Sequence, residues 1–220
     1  MSNFRTAFFL AFSALRKGNR WALLLIIVVM ALSFTNLIFI SSILTGVTAT
    51  LDQQLIDTQV GHLAIDPAKD EYYFNDADAV ASRVRQIEGV TGVSVHLNNA
   101  AFIEYQWKEK DNPADKGQGG NWPVIGIDPV HETGVTVIQD RLIAGEYLNS
   151  GDRDSIVIGV EVAGGPKAQS AEYDTLGGVG IGDTLRVTFP NGISREYRVK
   201  GIFLAQDGAA DRLTFITRTE

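Results

Sequence analysis

The chain has 220 residues, 19 basic and 26 acidic, for a net charge of −7. It has no cysteine, which excludes a disulfide framework and a thiolate metal site. Arg5, Arg16, Lys17 and Arg20 all precede the first acid, Asp52, so the remainder is strongly acidic and poorly suited to nucleic acid or an anionic lipid surface.

Phe4, Phe8, Phe12 and Leu15 recur at helical spacing ahead of the basic cluster. Residues 1–20 therefore read as a cytoplasmic amphipathic segment on the inner membrane surface, with a plain hydrophobic lead-in as the alternative. Trp21 to Leu44 then runs for 24 positions without a charge. A helix of that length spans about 36 Å, against a hydrocarbon core of ~30 Å. Residues 21–44 are expected to cross the membrane. Arg16, Lys17 and Arg20 fix the topology, because basic residues stay on the cytoplasmic side, and residues 52–220 are expected outside. A cleaved signal peptide would have an apolar region of only about 7–15 residues, and Thr48-Ala49-Thr50 is a poor cleavage site well past it.

The helical pattern continues over residues 45–59. Leu44, Val47, Leu51, Leu55 and Thr58 keep spacings of three or four, which predicts a stalk helix rather than a frayed juxtamembrane segment. So narrow an apolar stripe needs a cover, such as a partner helix.

Beyond Val60 the chain turns to short elements. His62-Leu63-Ala64-Ile65 reads as a strand ended by Asp66-Pro67. Asn75 or Asp76 can cap a helix with Ala77, Val80, Val84 and Ile87 on one face and Gly89 closing it. Val93, Val95 and Leu97 alternate as a strand, and Ala101 to Trp107 form another. Lys108 to Asn121 is a polar loop. Val124 to Ile127 and Ser155 to Ile158 are buried-type strands, and Ala163 to Gly180 is a second, Gly-rich loop. A hairpin is the clearest local feature: Leu185, Val187 and Phe189 alternate, Asn191-Gly192 turns, and Tyr197 and Val199 alternate back. Ile202 to Leu204 and Leu213 to Ile216 complete the β pattern.

No catalytic constellation emerges. His62, His96 and His131 lie in separate elements, and His131-Glu132 lacks the second histidine of a zincin helix. Gly178-Val179-Gly180-Ile181-Gly182 leads into a strand instead of a helix, so it reads as a turn and not as a phosphate loop. Asp76-x-Asp78 and Asp152-x-Asp154 stand where aspartate serves caps and turns. The expectation is a protein that is not an enzyme and has no cofactor.

Together these pieces resemble the permease subunits of the MacB, LolC/LolE and FtsX group of ABC transporters. The matching stretches are Ala14-Leu15-Arg16, the first membrane helix, Gly61 to Ile65, Ile87 to Val93, and Val124-Ile125-Gly126-Ile127-Asp128-Pro129. Gly145-Glu146-Tyr147-Leu148, Asp154 to Gly159, Val179 to Leu185 and Val199 to Phe203 come next, in that order. The resemblance implies an α+β fold: a transmembrane and stalk helix followed by a two-lobed extracytoplasmic domain over residues 60–220. One lobe, about 60–107, would be mixed α/β; the other, about 122–200, would be mostly β, with 201–220 returning toward the membrane.

The resemblance also implies a mechanism and partners. A separate cytoplasmic ABC ATPase would drive the membrane helices of a permease pair in the inner membrane, and the stalk would carry the motion to the outer domain. The cargo would be a lipoprotein, a lipid or an effluxed compound. Leu44, Val47, Leu51 and Leu55 would pack the stalk. The family pattern continues with three further membrane helices that these 220 residues do not include. The chain is therefore expected to be part of a longer permease or a shorter protein reusing the module. A single-pass receptor or scaffold binding a ligand outside the membrane is the alternative.

Overall fold

A computed structural model describes residues 2–109, 118–166, 168 and 174–219. The chain divides into two compact units, Met1–Asp52 and Gln53–Glu220. Much of the two loops expected at Lys108 to Asn121 and Ala163 to Gly180 lies outside the described residues.

The first unit is helical. Helix α1 spans Ser2–Lys17 and helix α2 spans Arg20–Leu55. Asn19 separates them, and its side-chain oxygen accepts from the Trp21 N–H at 3.1 Å, a cap that starts α2. No residue of α2 is buried, and it is long and apolar enough to cross a membrane. Four of its hydroxyls are paired within their own helix. Ser41, Thr45, Thr48 and Thr50 each donate to the carbonyl four residues back, at 2.9 to 3.0 Å.

The second unit is built on one mixed sheet. Its strands are β1 (Leu97–Tyr105), β2 (Gln118–Ile127), β3 (Leu142–Gly145), β4 (Ser155–Gly159), β5 (Thr184–Thr188), β6 (Ser194–Phe203) and β7 (Thr214–Thr217). The order is β3-β6-β4-β7-β2-β1-β5, and β5 also pairs with β6, which closes six strands into a barrel. The expected hairpin is that closing pair. Thr188 faces Ser194 across a turn in which Gly192 takes φ +81°.

Alternation fills the barrel. Ala101 and Ile103, Trp122 and Val124, Ile156 and Ile158, Leu185 and Val187, Tyr197 and Val199 share one buried cluster, one face of each strand. The opposite faces of four strands, with Ile127 from β2, form a second cluster. There Val157, Phe203 and Phe215 pack with Ile138, Leu148 and Ala210, and the two phenyl rings lie 5.7 Å apart. Cross-strand pairing adds an ion pair, because Glu104 and Arg186 are register partners on β1 and β5.

Residues 60–96 differ from expectation. Helix α3 (Ala77–Arg85) forms as read, with the Asp76 carboxylate accepting from Ala79 N–H at 2.9 Å. The stretches 62–65 and 93–96, expected as strands, form none and join no ladder among the described residues. Leu63 stays 78% exposed and Tyr72 92%. Leu97–Tyr105, which the sequence groups with an α/β lobe, pairs along its whole length with β2 and so belongs to the barrel.

Two glycines separate strain from packing. Gly145 has φ +74°, and a methyl there would strike the Lys200 carbonyl oxygen; Gly192 has φ +81° with open space around it. Gly145→Ala is expected to destabilise the second unit by more than about 2 kcal/mol and Gly192→Ala by about 1 kcal/mol, read by urea unfolding of the full chain in detergent. Equal losses would contradict the packing assigned to Gly145.

Candidate functional site

Helix α2 ends in a π-helical turn, Ile56–Val60, closed by the Gly61 N–H donating to the Ile56 carbonyl at 3.0 Å. Such turns widen the helix and recur at functional places. This one is gripped from two sides within the second unit. On one side the Asp57 carbonyl accepts from Val137 N–H at 2.8 Å. Gly61 lies against Val135, whose Cγ1 would stand 3.0 Å from an added Cβ. On the other side the Gln54 amide donates to the Gln206 carbonyl at 3.3 Å, and the Gln59 amide donates to the Asp207 carboxylate at 3.1 Å. Thr58, 3% exposed, donates to the Gln54 carbonyl at 2.7 Å between the two grips.

A buried carboxylate supports the first grip. Helix α4, Pro129–Glu132, begins at Asp128, whose side chain accepts from Val130 N–H at 3.1 Å. It delivers Glu132, 1% exposed, into a polar pocket. Ser94 donates to Glu132 at 2.5 Å and Thr136 at 2.8 Å, and His96 Nε2 lies 2.7 Å away. Burial works to raise the Glu132 pKa, but the hydrogen bond and charge of His96, with Ser94 and Thr136, outweigh it and hold the carboxyl below its usual range. This network ties 94–96 to 132–136. The backbones of the two segments also meet closely, since a Cβ on Gly92 would come 2.5 Å from the Gly134 carbonyl oxygen.

The residues singled out from sequence lie elsewhere. Leu44, Val47, Leu51 and Leu55 are on α2 at 66%, 50%, 53% and 43% exposure, so nothing among the described residues covers the stripe. Arg20 is the exposed first residue of α2, and Arg16 and Lys17 close α1, their side chains outside the described residues. His131 pairs with Asp128 at 2.8 Å; Asp152 pairs with Lys200 at 2.6 Å and caps Asn149 N–H at 2.7 Å. Among the described residues no three His, Asp or Glu are grouped to hold a metal ion. Sequence reasoning missed Gln54, Gln59, Glu132, Gln206 and Asp207. Their partners are up to about 150 positions away, and no local pattern marks them.

Glu132 gives a pH-dependent test. Because its carboxyl is held low, its contribution is complete above the ordinary carboxylate range and is lost as pH falls through the lowered value. Glu132→Ala is expected to cost about 3 kcal/mol at neutral pH, and much less in strong acid. Urea midpoints across pH measure it; a neutral-pH loss under about 1 kcal/mol would contradict the network.

Comparison with known proteins supplies the family. No curated protein matches the chain. The family model for the MacB-like periplasmic core domain matches residues 23–219, which takes in α2 except its first three residues, the π-helical turn and the whole barrel. A membrane-spanning type of helix followed by that domain is the arrangement of ABC-transporter-type permeases. The chain belongs to the MacB-like periplasmic core domain family.

Proposed function

We propose that the chain is a non-catalytic permease component of a mechanotransmitting ABC transporter. A separate cytoplasmic ATPase moves its membrane helix, and α2 carries the displacement to an outer domain acting on a lipoprotein, lipid or efflux cargo. The observation that carries this reading is α2 itself, unbroken from Arg20 to Leu55 and received at its end by hydrogen bonds from two loops. A continuous helix transmits displacement along its axis because each turn is bonded to the next.

The exposed surface supports one of the partners in this reading. Leu44, Val47, Leu51 and Leu55 remain exposed, and this apolar stripe suits the stalk of a second permease subunit, identical or related. The protein sits in the inner membrane with its amino terminus in the cytoplasm, on the charge asymmetry around α2.

Prolines at both Val47 and Leu51 test transmission. Each removes a helix hydrogen bond and clashes with the preceding turn, at about 3 kcal/mol apiece. Transport by the complete permease is expected to be lost while the outer unit keeps its melting temperature. Transport that survives both prolines removes the transmission reading.

A further inference from the structure

The loop from Ala205 to Asp211 touches the stalk base through Gln206 and Asp207. Its shape depends on Asp211, which is 3% exposed. The Asp211 N–H donates to the Asp207 carbonyl at 2.8 Å, and the Asp211 carboxylate accepts from Ala205 N–H at 2.6 Å and from the Asp207 N–H. The main chain of the residue that holds Gln59 is thus fixed on both sides by Asp211. Asp211 has no room to retreat. Gly159, at the start of helix α5 (Val160–Ala163), lies so close that any Cβ there would strike the Asp211 carbonyl oxygen.

The charges acting on this carboxyl have the wrong sign. Glu161 of α5, itself 4% exposed, and Asp207 both act on it as like charges; Asp57 is a further acid on the stalk base. Arg212 follows Asp211 and is the cation of their shared turn. Burial is the largest influence. The two backbone N–H groups offset it only in part, so Asp211 holds its proton to higher pH than an exposed aspartate does. Neutral, the group keeps an oxygen to accept with and loses the repulsion; ionised, it is pushed by both neighbours.

We propose that Asp211 is the positioning residue of the stalk joint, and that its protonation closes the loop on the stalk base while its ionisation loosens that grip. The direction follows from linkage. The closed loop binds the proton more tightly than an opened, solvated loop, so acid favours the grip, and the grip weakens as pH rises through the raised value. The purpose of the device rests on the transmission reading; its test does not.

Hydrogen exchange of the full chain in nanodiscs, corrected for intrinsic rates at each pH, reads the protection of residues 53–61. Between about pH 8 and the acid side of the raised Asp211 value, protection in the unmodified chain is expected to rise at least about threefold. Asp211→Asn should hold the acid level at both pH values, and Asp211→Ala should lose it at both. Glu161→Gln should move the transition to lower pH, a shift that simple damage to the fold would not produce. Protection independent of pH in the unmodified chain, or an Asp211→Asn chain that still follows pH, overturns the proposal. Either result would leave the proline test of transmission standing.

Discussion

A helix that leaves a bilayer must do something with its last carbonyls. Inside the apolar run every main-chain group is paired within the helix, but the final turn has no turn beyond it to supply donors. Here the end of α2 widens into a π-helical turn, and its carbonyls find donors one by one: Gly61 N–H for Ile56, Thr58 hydroxyl for Gln54, and Val137 N–H for Asp57. The last of these comes from a distant segment. Satisfying the helix end and fastening residues 54–61 to the rest of the second unit are therefore one event.

The rest of the second unit keeps those donors in place. Val137 is held through α4, because buried Glu132 fastens Thr136 on one side and Ser94 and His96 on the other. Gln206 and Asp207 come directly after β6, whose Phe203 is wedged against Phe215 under the sheet. Barrel closure by β5 and β6 fixes β6 in turn. The contacts that fasten the joint are largely hydrogen bonds from amides, hydroxyls and the main chain. Hydrogen bonds of this kind contribute about 1 kcal/mol each, enough to define a position and weak enough to allow it to change.

Much of the architecture can be read from local pattern. The charge gap from Trp21 to Leu44 and the alternation of Leu185, Val187 and Phe189 around Asn191-Gly192 each depend on neighbours in sequence, and both elements form. The stretches 62–65 and 93–96 have strand-like composition but join no ladder, because a strand needs a partner and composition does not provide one. The joint is illegible for a related reason. Gln54 and Gln59 look like the polar end of a stalk, and Gln206-Asp207-Gly208 looks like an ordinary turn. Only the fold brings them together. Glu132 stands beside His131 in a pair that falls short of a zinc motif, while its burial beneath Ser94 and Thr136 leaves no mark in the residues next to it.

The central claim is that displacement of α2 reaches the barrel through this joint. The chain has no cysteine of its own, so two introduced cysteines can carry spin labels specifically, one at Thr48 on the stalk and one at Asn191 on the barrel hairpin. Distances from each label to a fixed reference in the bilayer would be measured in the assembled permease, with and without ATP hydrolysis by its ATPase. The account predicts that both labels move together and in the same fraction of molecules. A stalk label that moves while the barrel label stays in place would contradict it.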